Sequence, residues 1–387
     1  MANQKDCLRA EGDNCPACRG QNFAALPIPS SDRSVLSDGR IIPRRLEKIG
    51  CSTCGLIRHR TPLAPAEVAA IYAEDYALPG QSRLADDARG ESYARIVADA
   101  LDWMPYNGRL LDVGCGSGAT ARSLAHMLCV QEVRGLDPAL PDAAAGTSGK
   151  VTLAKGLLDE KMGADWHDFD AVVSINTIEH TPDPAGFLAA ISARLLPDGK
   201  AVVICPVATP ANCELLFFDH LWTLSAAAIA AFAAAAGLRV SRALALDGTL
   251  ACFHGFVLEK GSKASEQGRS TNVEDAARYL AAWQRLDDLW CAQLDVRDEP
   301  VQIFGAGQMA AAVRAYAPRT WARAERLVVD NPADAWELGK VEFYLPADHA
   351  SGYRTIVAVN PLVKNVVAER IRRDGGEPIV MPDTIQF

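Results

Sequence analysis

The strongest constraint on the fold is a recurrence between residues 108 and 206. Five short apolar segments, "GRLLDVG", "EVRGLDP", "KVTLAKG", "FDAVVSIN" and "GKAVVICP", follow one another there with helix-like stretches between them. Apolar runs of this length read as strands buried on both faces. Strands alternating with helices form a parallel sheet covered on two sides, so an α/β, Rossmann-like layer is expected. Ligands on such sheets bind at the carboxyl ends of the strands.

The first of those ends carries "LLDVGCGSGAT", 110–120. Gly114, Gly116 and Gly118 cost folding entropy, which calls for a reason such as positive φ or close approach to a ligand. The loop leads into a helix whose first amides point outward. Asp112 ends the first strand. Asp137, nineteen residues after Gly118, ends the second, where a carboxylate can accept hydrogen bonds from both ribose hydroxyls of a nucleoside. The glycines alone would equally suit a structural turn; with Asp137 they predict a nucleoside-containing ligand.

The spacing Asp-x-Gly-x-Gly-x-Gly differs from the dinucleotide pattern and resembles the first motif of class I S-adenosylmethionine-dependent methyltransferases. Residues 169–206, with the Glu179-His180 pair and a Leu-Pro-Asp-Gly turn, are similar to the fourth and fifth motifs of that superfamily. The resemblance implies S-adenosylmethionine as cofactor. It puts the glycine loop at the methionine part, Asp137 at the ribose and the region of Asn176 at the amino group.

Two short-loop pairs, Cys15 with Cys18 and Cys51 with Cys54, can converge on one tetrahedral Zn²⁺. Four thiolates leave no open position, so the expected role is structural; a redox dithiol is the other reading of such pairs. Gly55 lets the second knuckle turn tightly. The rest of the 11 cysteines are scattered and read as reduced thiols.

Methyl transfer to carbon or hydroxyl usually needs a positioned base. His180 follows the fourth strand and serves either as loop scaffold or as substrate contact. His220, in "ELLFFDHLWTLS", follows Asp219, which either orients the imidazole or caps a helix.

A two-pair cysteine region, this core, "FFDHLWTLSAAAIAAFAAAAGLRV" and a second α/β region ending "GGEPIVMPDTIQF" together resemble the sugar C-methyltransferases of deoxysugar biosynthesis. That resemblance implies a zinc-binding N-terminal domain, a C-terminal Rossmann-like domain and a nucleotide-linked ketosugar as small-molecule substrate. It implies a base supplied by the His of a Tyr-x-Glu-His pattern. The matching residues are Phe217, Phe218, Asp219 and His220: the His is retained, Glu has become Asp and Tyr is lost. O-methylation therefore stands beside C-methylation. Tyr72 and Tyr76 match the family's tyrosine-containing segment, and Tyr76, Glu179 and Phe217 are expected near substrate.

"VQIFGAGQMAAAV" carries a second glycine motif, Gly305, Gly307 and Ala310, followed by Asp330 at a strand end. Alone it reads as a dinucleotide fingerprint and supports a rival, an NAD-linked bifunctional enzyme. Fewer than one hundred residues follow residue 294, about half of a full dinucleotide fold, which favours a Rossmann-like domain that helps form the substrate cleft. The polar stretch 261–270 has linker composition, giving expected domains at 1–80, 81–262 and 263–387. A formal charge of -9 gives no basic field for nucleic acid or an anionic membrane. No apolar run reaches the ~20 residues of a membrane span and the first residues are polar, so a cytoplasmic location is expected. Another small metabolite or a macromolecule remains an alternative substrate.

Overall fold

The computed structural model describes residues 14–29, 31–73, 83–158, 166–207, 209–261, 272–346 and 352–385. Its elements build three main sheets. The first residues form β1 (Phe23–Ala25), a ribbon of β2 (Ser34–Val35) and β3 (Ile41–Ile42), then β4 (Lys48–Cys51), β5 (Ile57–His59) and helix α1 (Pro65–Ala73). β1, β4 and β5 pair antiparallel.

The middle of the chain runs α2 (Arg83–Ala100), β6 (Arg109–Val113), α3 (Ala119–Met127), β7 (Glu132–Asp137), β8 (Gly146–Ser148), β9 (Val151–Lys155) and β10 (Phe169–Ile175). It continues through α4 (Pro184–Arg194), β11 (Leu195–Pro206), β12 (Trp222–Thr223), α5 (Ala226–Ala235), β13 (Leu238–Ala245) and β14 (Phe253–Lys260). All five expected strands, β6, β7, β9, β10 and β11, are present in an eight-stranded sheet of order β13-β14-β11-β10-β6-β7-β9-β8. β9, β7, β6, β10 and β11 are parallel, whereas β14 lies antiparallel against β11. One expectation differs: a short 3-10 turn and the edge strand β8, not a helix, join β7 to β9. The chain order reverses between β6 and β10, and a crevice opens there.

Local chemistry sets the helix starts that matter. Asp183 caps α4 by accepting from the Gly186 amide, with Pro184 in the first turn. Ser225 caps α5 in the same way through the Ala228 amide. The last part holds α6 (Asn272–Leu294), β15 (Val301–Phe304), α7 (Gln308–Tyr316), α8 (Pro318–Ala322), β16 (Ala324–Val329), β17 (Val341–Phe343), β18 (Arg354–Val357), α9 (Lys364–Arg373) and β19 (Glu377–Val380). Its sheet is wholly parallel, β17-β16-β15-β18-β19, with a second reversal between β15 and β18.

The units are interlocked. β12, from far along the chain, completes the first sheet against β5. One apolar core joins Cys15, Phe23 and Leu56 to Leu111, Phe169 and Phe232; another joins Leu26, Val35 and Leu46 to Phe217, Trp283 and Tyr316. Among the described residues, no helix is long and apolar enough to cross a membrane.

Candidate active site

The crevice at the β6–β10 reversal is a cavity of about 470 Å³. Gly114 leaves β6 with φ 78°, and a Cβ there would stand 2.0 Å from the Thr177 hydroxyl oxygen, so no side chain fits. Gly116, with φ 55°, has nothing within 4 Å of its missing Cβ, and its backbone is bare toward the cavity. Its amide donates to Asp137 Oδ2 at 2.9 Å, while Oδ1 accepts from the Ala139 amide at 2.7 Å. Both bonds fix the carboxylate at the rim. Gly118 stands one turn behind as the left-handed residue before α3 and does not line the cavity.

Asp112 is buried at the end of β6, and its Oδ2 has no protein partner. Burial, with Asp137 adding to it, pushes its carboxyl up to about 7. Asn176, held at φ 51°, donates through Nδ2 to the Tyr93 hydroxyl at 3.0 Å, and its buried Oδ1 is unpartnered. Asp112, Gly114, Gly116, Asp137 and Asn176 thus share one cavity. Sequence reading missed the wall opposite them, where α2 contributes Asp86, Arg89 and Tyr93. No pattern in the α2 sequence marks this; it follows from the close packing of two helices, where a Cβ on Gly90 would meet the Ala119 backbone at 2.8 Å.

The same cavity ends on a buried acid and base cluster of Glu179, His180, Glu214 and His220. Ligand atoms of Glu179, His180 and His220 lie within 4.8 Å of one another, and the two imidazoles meet edge to face at 4.7 Å. His180 Nδ1 is 2.6 Å from the Tyr72 hydroxyl and 3.0 Å from the Asp219 carbonyl oxygen. Nδ1 can donate to the carbonyl or accept from the Tyr72 hydroxyl, so the two contacts are compatible with either ring tautomer. Burial lowers the pKa of His180 although Asp219 opposes it, and lowers that of His220 well below the usual histidine value, helped by His180, Lys48 and His59. Both rings are neutral near pH 7.

The expected pairing of Asp219 with His220 is corrected. Asp219 turns away and accepts from the Ser37 amide at 2.8 Å and the Ser37 hydroxyl at 2.5 Å. The carboxyl beside His220 is Glu214, whose Oε2 stands 3.2 Å from Nδ1. Glu214 sits on a 3-10 turn started by Asn212, and burial, with Asp219 adding to it, pushes its carboxyl up to about 8. Phe217, expected at the substrate, is fully buried in the apolar core behind His220, its ring 5.2 Å from the imidazole. Glu179 does line the cavity, with both oxygens unpartnered and its pKa raised well above the usual value by burial. Tyr76 lies outside the described residues.

Cys15, Cys18, Cys51 and Cys54 converge as the spacing predicts. Their sulfurs lie within 4.8 Å of one another, with Cys15 to Cys54 and Cys18 to Cys51 at 3.6 Å. A tetrahedral site with Zn–S bonds of ~2.3 Å has edges of ~3.8 Å, so the four thiols fit one. Gly55, at φ 76°, makes the second knuckle.

At the second reversal, Gly305 has φ 124° and packs against the Ala358 carbonyl, which a Cβ would approach to 2.3 Å. The loop opens on a second cavity of about 310 Å³ that shares Cys213, Gln308 and Asn360 with the first. Asp330, the acidic residue of this motif, is paired with Arg370 at 2.9 Å.

Residues 85–243 match the family model described as a methyltransferase domain. Over 115 residues the chain is 33% identical to a ubiquinone biosynthesis O-methyltransferase of Xanthomonas axonopodis pv. citri, covering 28% of this chain and 46% of that protein. A mitochondrial ubiquinone biosynthesis O-methyltransferase of Arabidopsis thaliana is 30% identical over 113 residues, 26% of this chain and 33% of that protein. The chain thus matches less than half the length of these relatives. Among solved structures, a Burkholderia thailandensis 1,6-didemethyltoxoflavin-N1-methyltransferase is similar at 20% identity and a TM-score of 0.42, covering 55% of this chain and 96% of that one. By sequence match and strand order, the middle of the chain is a class I S-adenosylmethionine-dependent methyltransferase domain of Rossmann-like α/β fold.

Proposed function

We propose that the protein is an enzyme transferring a methyl group from S-adenosylmethionine to a small substrate, a sugar carried on a nucleotide, with His220 taking the substrate proton. One observation carries the reading: Asp137, the glycine loop and the neutral imidazole pair line one and the same cavity. Asp137 would hold the ribose hydroxyls, the Gly114–Gly116 backbone and Asn176 the methionine part. Bound there, the cofactor supplies an electrophilic methyl group on a sulfonium that leaves readily. His220 and His180 accept a proton, from a hydroxyl or from carbon beside a ketone, and the buried pocket keeps competing water away. Cys15, Cys18, Cys51 and Cys54 would hold a Zn²⁺ whose closed thiolate shell would serve the fold of the N-terminal unit.

The second cavity shares Cys213, Gln308 and Asn360 with the first and would take the far part of an extended substrate. The short length of the C-terminal unit, about half of a full dinucleotide fold, speaks against NAD at this turn. O-methylation in ubiquinone biosynthesis, after the names of the relatives, is the second reading.

The test is a thermal-shift screen with S-adenosylhomocysteine, adding nucleoside diphosphates one at a time. A further rise with one nucleotide is expected. A rise with S-adenosylhomocysteine and with no nucleotide would remove the nucleotide carrier and move the substrate to another small metabolite. With the substrate in hand, His220→Asn is expected to lower turnover ~10²–10⁴-fold at unchanged cofactor affinity; near-normal turnover overturns its role.

A further inference from the structure

Lys48 belongs to β4 of the N-terminal sheet, yet its side chain runs beneath the active-site segment 213–220. It is buried, and Nζ donates to the His220 carbonyl oxygen at 3.2 Å. Within electrostatic reach of it lie the carboxyls of Asp219 and Glu214 and the imidazoles of His220 and His59, with His180 acting on His220 from the cavity side. The neighbouring strand adds His59, whose Nε2 meets the Phe218 carbonyl oxygen at 2.7 Å, and Ser37 holds Asp219 from the same unit. An apolar side chain could fill this space without the desolvation an ammonium incurs. That cost is visible: burial pulls Lys48 down to about 7, with Asp219 and Glu214 opposing. One amine thus acts on two buried carboxyls, so its charge is coupled to the protonation of the cluster.

We propose that Lys48 is a positioning residue for proton transfer at His220, fixing its backbone from below and balancing Glu214 and Asp219 so that the imidazole enters the cavity neutral. The proposal rests on His220 being the proton acceptor. It makes the N-terminal unit part of the catalytic apparatus.

The experiment is an NMR titration of protein labelled at histidine, with the His220 signal assigned by its loss in His220→Asn. Removing a neighbouring cation raises an imidazole pKa, so Lys48→Met is expected to move the His220 midpoint up by about one pH unit or more. Lys48→Arg, which keeps the charge, is expected to restore the wild-type curve. Calorimetry with S-adenosylhomocysteine checks that the crevice is intact. An unmoved His220 curve in folded Lys48→Met overturns the proposal. Should Lys48→Met not fold, the side-chain titration of Lys48, assigned by Lys48→Arg, decides. A midpoint near neutrality that falls further in Glu214→Gln supports the coupling, and an ordinary alkaline midpoint insensitive to Glu214→Gln overturns it. Failure of the parent reading looks different: His220→Asn would turn over normally while the Lys48 and His220 titrations remain coupled.

Discussion

Asp112 and Asp137 are two carboxylates at neighbouring strand ends with opposite provisions. Asp137 has two backbone amides, while Asp112 has an unpartnered oxygen and no nearby cation among its influences. The sign of the consequence follows from linkage. The folded pKa of Asp112 is about 7, above the 3.8 of an unperturbed side chain, so its stabilising contribution is complete below about 4 and is lost as pH rises to about 7. Asp112→Asn removes that dependence. In the absence of cofactor, its stability relative to wild type is expected to grow with pH through this window, by on the order of 4 kcal/mol. Urea melts at several pH values measure it, and a constant difference from pH 4 to 8 would show that Asp112 ionises freely. Residues of this kind were legible in sequence because the strand end and the glycine turn fix their place. Glu214 was not. Adjacent residues of the turn at 218–219 aim Asp219 at Ser37 and His220 at Glu214, and that choice depends on segments some 180 residues away in the chain.

At the scale of elements, the crevice proposed for the cofactor depends on how closely α2 can lie over the start of α3. Gly90 is the contact that sets the distance: a Cβ there would be 2.7 Å from Ala119 Cβ and 2.9 Å from the Thr120 amide nitrogen. The Asp86 carboxylate on α2 then accepts from Ser117, tying the helix to the glycine loop. Gly90→Val would push the helices apart, and overpacking of this type costs ~1–3 kcal/mol. The expected result is a lower melting temperature together with at least about tenfold weaker S-adenosylhomocysteine binding, because Arg89 and Tyr93 withdraw from the crevice. If affinity holds while stability falls, α2 is a cover and not a wall of the site. The five parallel strands of the domain could be read from apolar periodicity, whereas α2 could not be tied to the site, since nothing in its own pattern names the helix it packs on. The same limit hid β12: two residues, Trp222 and Thr223, carry no period, and only pairing with β5 makes them a strand.

For the molecule as a whole, the cysteine knuckles, the acid and base cluster and the C-terminal sheet are braced on one another. The Cys54 carbonyl accepts from the Ser225 hydroxyl at the start of α5, and β5 carries β12 just beyond His220. From the other side, the Tyr316 hydroxyl of the C-terminal unit donates to the Leu216 carbonyl at 2.5 Å. The segment that presents Glu214 and His220 is therefore clamped between two units that contain none of the cofactor loop. Loss of the metal proposed for the four thiols should travel along the first clamp. Thiolate sites of this type contribute folding free energy on the order of several kcal/mol or more, so Cys51→Ser is expected to lower the melting temperature. It should also speed amide exchange in residues 213–225, while β15 and β18 keep their protection. Hydrogen exchange read by mass spectrometry separates the cases. Faster exchange confined to residues 14–20 and 51–56 would make the knuckles a local staple, whereas its spread to the active-site segment would make the N-terminal unit a structural determinant of proton transfer.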